Sequence, residues 1–240
     1  MSLHVDGSAQ RIDFAWPPRY AEPWRREFDR LAEATMRPGC TILDVGSGRA
    51  PTFAPAARPE GSMYVGLDVS GEELAKAPAG SYDEAWEADI TTLRPELCDR
   101  FDLVVSWQVL EHVKPLPSAF ANIRRYLVPG GRCVAQLSGR YSVFALLNRM
   151  VANEVGGAIA ARVMRRDRDT VFPAHYDACY EAALARMLAG WSAVEIHPRY
   201  KGAAYFNFSR TLQRLYLHYE DWTQQGRPNL ATHYIVDAFR

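Results

Sequence analysis

The period of the hydrophobic positions changes along the chain, and those changes lay out the elements. Residues 24–36 set Trp24, Phe28, Leu31 and Met36 near one face of a helix, which Pro38 and Gly39 end. Short β-rich runs then alternate with helical stretches. TILDV at 41–45, MYVGLDV at 63–69, a weaker run near 84–88 and FDLVVSW at 101–107 read as strands. The last is apolar on both faces, as expected for a strand buried between two helical layers. A helix opens at Ser70, whose hydroxyl, with Glu73 three residues on, matches a capping box. Residues 117–127 predict the helix after the fourth strand, and Gly130-Gly131 turns the chain into a strand at 132–137. Strand, helix and strand repeated in this way imply parallel pairing and right-handed crossovers, hence an open, doubly wound α/β sheet.

After Ser138 the rhythm changes. Helical stretches at 142–166 and 177–189 precede a strand at 192–197, an aromatic-rich segment at 200–228 interrupts the sheet, and ATHYIVDAF at 231–239 closes it. Within a single domain spanning 1–240, headed by a helical segment at 1–40, the segments 138–180 and 200–228 therefore read as insertions that cover a substrate. Their aromatics, Tyr141, Phe144, Phe172, Tyr176, Tyr180, Tyr200, Tyr205, Phe206 and Phe208, suit a concave apolar site. Extra packing layers are the plainer alternative.

Composition narrows the classes. With 240 residues, 48% of them hydrophobic, the chain can bury a core without disulfides or a structural metal. Twenty-eight basic residues balance 28 acidic ones, which argues against a dedicated nucleic-acid binder. The arginines 162, 165, 166 and 168, interleaved with Asp167 and Asp169, read as a solvated helix end rather than a phosphate site. Cys40, Cys98, Cys133 and Cys179 are scattered without a C-x-x-C pair, so neither a zinc site nor a disulfide framework is expected. The start, MSLHVDGSAQR, has no apolar run, and stretches such as VFALL at 143–147 are too short to cross a bilayer. A reduced, cytoplasmic compartment and no membrane partner are the expectation; the oligomeric state is not legible.

The candidate chemistry sits where open α/β sheets bind ligands, beyond the carboxyl ends of the strands. The turn after the first strand reads Asp44-Val45-Gly46-Ser47-Gly48-Arg49-Ala50-Pro51, and its glycines let the backbone approach a ligand closely. A dinucleotide fingerprint would need a small residue where Pro51 stands. Asp68, 24 residues after Asp44, ends the second strand, where a carboxylate can accept from both ribose hydroxyls of an adenosine. Asp89, after the third strand, is placed to accept from an adenine amino group or to serve as an ordinary turn aspartate.

The stretches TILDVGSGRA, YVGLDVS, EADI, FDLVVSWQVLEHV and YLVPGGRCVAQL, in this order and spacing, resemble class I S-adenosylmethionine-dependent methyltransferases of the small-molecule type that carries a leucine-glutamate-histidine-valine signature. The resemblance is strong over 41–137 and weak elsewhere. It implies a Rossmann-like seven-stranded sheet in the order 3-2-1-4-5-7-6 with the last strand antiparallel, and S-adenosyl-L-methionine as cofactor. Carried over, it puts Asp44, Gly46, Ser47 and Gly48 at the methionine end of that cofactor, Asp68 at the ribose, Asp89 and Ile90 at the adenine, and Ser106 and Trp107 at the floor, with Val69 also among the cofactor-binding residues. The departure is Ala50, where the family usually has a third glycine.

The acceptor is expected to be a small molecule, with oxygen slightly preferred. An oxygen acceptor needs deprotonation, which directs attention to Glu111 and His112 after the fourth strand, with His112 the better general base, and to His175 in VFPAHYD. The Asp/Asn-Pro-Pro-aromatic signature of nucleic-acid amino-methyltransferases is absent at Ser106-Trp107-Gln108-Val109. A nicotinamide-dependent oxidoreductase and a catalytically silent adenosyl-binding module stand as the alternatives.

Overall fold

The computed structural model describes residues 16–240 except 144, 147–173 and 207. Seven strands form one sheet in the order β3-β2-β1-β4-β5-β7-β6. They are β1 (Thr41–Val45), β2 (Met63–Asp68), β3 (Glu84–Glu87), β4 (Phe101–Trp107), β5 (Leu127–Ser138), β6 (Ala193–Arg199) and β7 (His233–Phe239). Neighbours from β3 to β5 pair in parallel, whereas β7 runs antiparallel to both β5 and β6. This is the class I methyltransferase order that the resemblance implied.

The helices cover both faces. On one face α1 (Arg26–Glu33) lays Phe28, Leu31 and Ala32 against Ile42, Tyr64, Leu103, Val105, Val134 and Ile235. The other face packs against α3 (Leu116–Tyr126) and α4 (Glu181–Met187) through Phe120, Ile123, Tyr126, Leu184 and Leu188. A short α2 (Gly71–Ala75) follows β2, and α5 (Arg210–Gln224) lies in the aromatic-rich segment with its own small cluster of Ala203, Tyr216 and Leu217.

Four elements differ from the sequence reading, each for a local reason. α1 is shorter than 24–36, because Trp24 stays outside it and packs edge-on against His233, with ring centroids 4.4 Å apart. β5 begins at Leu127 rather than 132: its register with β4 jumps between Phe101 and Leu103 and accommodates Gly130-Gly131 as a bulge. A Cβ on Gly131 would stand 2.9 Å from the carbonyl oxygens of Phe101 and Val128, so glycine permits that close approach. α4 starts at Glu181 instead of 177, since Tyr176 and Ala178 have φ of 50° and 53°, which a right-handed helix cannot contain.

The fourth difference is α5, a 15-residue helix that the pattern did not disclose. Of the helix expected at 142–166, positions 144 and 147–166 lie outside the described residues, as do the arginines 162, 165, 166 and 168 and Phe172. Among the described residues no helix is long and apolar enough to cross a membrane.

Candidate functional site

A cavity of about 430 Å³ opens beyond the carboxyl ends of β1, β2, β3 and β4. Its lining includes Val45 and Gly46 from the first turn, Leu67, Asp68 and Val69 from β2's end, and Ala88, Asp89 and Ile90 after β3. Gln108, Val109, His112, Val113 and Lys114 follow from beyond β4, and His175 comes from a distant segment. Seven of the twelve residues singled out in the sequence thus meet in one lining: Gly46, Asp68, Val69, Asp89, Ile90, His112 and His175.

The first turn is shaped by its glycines. Gly46 has φ of 76°, and a Cβ there would fall 2.3 Å from Val109 Cγ1, so the backbone passes where no side chain fits. Gly48 has φ of 47° and sits beside Asp68, 3.5 Å separating a built Cβ from Asp68 Oδ2. Arg49 binds Glu73 through two nitrogens at 2.6 and 2.7 Å, tying the turn to α2. Only half of the capping box forms as a result. The Glu73 amide donates to Ser70 Oγ at 3.2 Å, while the Glu73 carboxylate is taken by Arg49 and held at about pKa 2.

Asp68 receives the amide of Ser70 at 2.9 Å on Oδ1, which fixes its carboxyl at the strand end. Burial pushes this carboxyl above the usual range, and the backbone amides of Ser70 and Gly48 pull it back. Next to it Val69 is 60% exposed, an apolar side chain left open at the cavity. Asp89 Oδ1 accepts from the amide and hydroxyl of Thr91, both at 2.8 Å, so the turn role and the cavity position coexist in one residue.

The other five residues take positions outside that lining. Asp44 is fully buried and accepts from the Thr52 amide and hydroxyl, both at 2.6 Å, and from the Tyr64 hydroxyl at 2.7 Å. Burial raises the Asp44 pKa, and the burial of Tyr64, together with the Asp44 charge beside it, pushes the Tyr64 phenol up. Asp44 therefore anchors the 51–53 stretch rather than facing the cavity. Ser106 Oγ donates to the Val45 carbonyl at 3.1 Å, a buried tie between β4 and β1. Trp107 packs edge-on to Phe28 at 4.9 Å with Arg25 over its ring, on the α1 side of the sheet, so the expected floor is not made by these two side chains. Ser47 is buried, and the Gly48 carbonyl accepts from the Tyr82 hydroxyl at 2.9 Å.

At the other side, residues 110–112 form a single 3-10 turn that places His112 on the cavity and sends Glu111 inward. Glu111 Oε1 accepts from Ser138 Oγ at 2.7 Å, Oε2 is buried without a partner, and burial raises its pKa. His112 Nδ1 is likewise buried without a hydrogen-bond partner. The Arg140 guanidinium donates to the Tyr176 carbonyl at 2.9 Å, and Asp177 accepts from the Leu116 amide at 3.2 Å. These bonds fix the 175–177 stretch beside the start of α3.

Sequence reasoning missed Gln108, Val109, Val113 and Lys114. Gln108 has φ of 55°, an uncommon backbone for a residue with a side chain, and its amide donates to the Gln136 carbonyl at 2.8 Å. Nothing in a single sequence reports that backbone. The position straight after a strand's end was the one available signal. Of the aromatics expected as pocket walls, Tyr141 packs on Tyr180 at 5.4 Å, and Phe206 packs on Phe208 at 6.2 Å and on Tyr216 at 4.8 Å.

The sequence profile of a family described as methyltransferase domain matches residues 18–197. A ubiquinone biosynthesis O-methyltransferase of Paramagnetospirillum magneticum is 35% identical over 104 residues, 41% of this chain and 41% of that protein. One from Rhodopseudomonas palustris is 29% identical over 126 residues, 50% of this chain and 49% of that protein. The matches thus span about half or less of these curated relatives. A SAM-dependent methyltransferase from Archaeoglobus fulgidus superposes with a TM-score of 0.55 at 16% identity, covering 92% of this chain and 96% of that one. One from Mesorhizobium loti gives 0.50 at 19%, covering 89% and 98%. At these identities the solved structures establish the fold alone.

Proposed function

The chain belongs to the class I S-adenosylmethionine-dependent methyltransferase family, and from that premise we propose that it methylates a hydroxyl of a small molecule. The observation that carries this reading is the meeting of Asp68, Asp89, His112 and His175 in the lining of one cavity. When bound, the family's methyl donor supplies a carbon already activated by a sulfonium, so the protein's work is mainly alignment. The residues fit that donor. Asp68 offers a carboxylate for paired ribose hydroxyls, Val69 and Ile90 offer apolar surface for a planar base, and Gly46 keeps the turn free of a side chain.

An oxygen acceptor is supported by the two histidines, which reach the cavity from separate elements, and by the relatives, which are O-methyltransferases of ubiquinone biosynthesis. A neutral imidazole there takes the proton of an acceptor hydroxyl and leaves the oxygen more nucleophilic. The segment 138–180 enters this reading through His175 and is assigned a role in covering the acceptor. None of the described residues of 200–228 lines the cavity.

The test uses methyl-labelled S-adenosylmethionine with a panel of catechols, phenols and small amines, together with calorimetry of S-adenosylhomocysteine and of NAD. Label on a hydroxyl oxygen, with binding of the nucleoside thioether and none of NAD, is expected. Transfer to the amines alone would overturn the oxygen assignment. Binding of NAD in place of the thioether would overturn the cofactor assignment.

A further inference from the structure

α5 is docked through a face that mixes polar and apolar residues and leaves a second row of apolar residues outside. Its buried positions are Gln213, Tyr216, Leu217, Glu220 and Thr223. Glu220 Oε2 accepts from Arg19 at 3.1 Å and from the Tyr20 hydroxyl at 2.7 Å, and Gln213 donates to the Ala203 carbonyl at 3.3 Å. Facing away are Leu212 at 43%, Leu215 at 60% and Trp222 at 49% exposure, with Phe208, just before the capping Ser209, at 68%. Tyr219, half-buried, lies tilted beside Trp222 with ring centroids 6.1 Å apart and completes the row.

The spacing of that row is specific. Phe208, Leu212, Leu215, Tyr219 and Trp222 follow one another at steps of four, three, four and three residues, the alternation of a coiled-coil seam. At ~100° per residue the four helical members fall within roughly 80° of arc, a narrow seam rather than the broad apolar face with which a helix lies in a bilayer. Thr211 and His218 flank the seam on its solvent side, and Arg210 and Arg214 lie about 120° or more from its centre.

We propose that this seam is the contact between two copies of the chain, α5 against α5 in antiparallel order about a twofold axis. Centred between Leu215 and Tyr219, the pairing sets Leu212 against Trp222 of the second copy and Leu215 against its Tyr219, small against large. Isologous pairs of this kind are the commonest way in which a self-complementary stripe closes. Taking ~150–250 Å² for an aromatic side chain, the exposed fractions leave roughly 500 Å² of apolar surface per copy, below the ~800 Å² per partner of a standard interface. The dimer is accordingly weak and concentration-dependent. This inference stands independently of the acceptor.

Sedimentation equilibrium between ~2 and ~300 μM, a range bracketing micromolar association, tests it. The wild-type mass should climb from 27.0 kDa toward twice that value. Leu215→Glu should hold the monomer mass throughout with an unchanged circular dichroism spectrum, and Leu215→Met should dimerise like the wild type. A wild type monomeric at every concentration, or a Leu215→Glu protein that dimerises as the wild type does, overturns the proposal. Flotation of a monomeric wild type with phosphatidylglycerol vesicles, abolished by Leu215→Glu, also overturns it and assigns the seam to a lipid surface.

Discussion

The backbone carbonyl of Glu111 accepts the amide of His175 at 3.0 Å and that of Tyr176 at 2.9 Å, so both cavity histidines hang from one anchor. His112 follows Glu111 directly, and His175 is held against Glu111 by its backbone amide. The clamp is completed by Arg140, whose side chain binds the Tyr176 carbonyl and whose amide donates to Cys179 at 2.7 Å. Arg140→Ala deletes the charged donor, a loss of about 1.5–3 kcal/mol where such a bond is partly buried. Amide hydrogen exchange at His175 and Tyr176 should then quicken about tenfold or more, while β4 and β5 keep their protection. Unchanged exchange at 175–176 would show that the Glu111 carbonyl suffices alone.

Asp68→Ala removes the carboxylate that the Ser70 amide aims at the cavity. Affinity for S-adenosylhomocysteine in calorimetry should fall at least tenfold, about 1.4 kcal/mol, the lower part of the range for a charge-assisted bond. Retained affinity would take Asp68 out of the cofactor site.

Gly46→Ala meets two obstacles at once, a φ of 76° and the Val109 methyl groups. Adding Val109→Ala removes the two methyl groups but leaves the residue 109 Cβ 2.8 Å away, and it leaves the first obstacle, which costs about 1–2 kcal/mol for a non-glycine residue. The single variant should therefore bind S-adenosylhomocysteine far more weakly than the wild type, with the double variant in between. A single variant of full affinity and melting temperature would show that the turn relaxes freely.

The strand order was legible through the family resemblance, and the cavity's position because open α/β sheets bind ligands beyond the carboxyl ends of their strands. Apolar runs such as FDLVVSW admit one burial, and the strand ends then converge on Gly46, Asp68 and Asp89. Facing direction was less legible. Asp44 and Asp68 both end strands as acids, yet one turns inward to Thr52 and Tyr64 and the other outward. The partners each one meets decide this, Thr52 and Tyr64 for Asp44 and Ser70 for Asp68, not their own spacing. α5 was hidden because its apolar residues stand on both sides, Tyr216 and Leu217 buried and Leu212, Leu215 and Trp222 exposed, while polar Gln213, Glu220 and Thr223 are buried, so a rule that apolar means inside has little purchase on it.

His233 makes stability depend on pH with a definite sign. It is buried beside Trp24, its Nδ1 without a partner, and burial together with the Arg199 charge lowers its pKa to about 3. The unfolded chain protonates this histidine near 6.5 and the folded chain does not, so stability is full above about pH 6.5 and is lost progressively as pH falls toward 3. The slope approaches about 1.4 kcal/mol per pH unit once below that window's upper edge. Raised carboxyls such as Asp44 and Glu111 act oppositely, holding protons more tightly when folded, so the histidine is isolated by difference. Urea unfolding at pH 7.5 and 5.0 should show a larger loss for wild type than for His233→Gln. Equal losses would mean that the imidazole is protonated in place.

His112 and His175 both reach the cavity, and their roles separate by kinetics. His112 sits on the turn beyond β4 with Nδ1 buried and unpartnered, which leaves its other ring nitrogen as the atom able to work on a substrate. A general base typically contributes 10² to 10⁴ in rate, about 3–5 kcal/mol. His112→Gln keeps the size and hydrogen-bonding capacity of the side chain while removing its basicity. Once an acceptor is in hand, single-turnover rates across pH 5.5 to 9 should fall by at least a hundredfold and lose the acidic limb in His112→Gln, with S-adenosylhomocysteine affinity preserved. His175→Ala should instead weaken acceptor binding and keep the acidic limb, because its backbone anchor places it to contact the acceptor rather than to titrate with the reaction. A His112→Gln enzyme with the wild-type rate and limb would make His112 a structural member of the turn, and the exchange of these two phenotypes would move the base to His175.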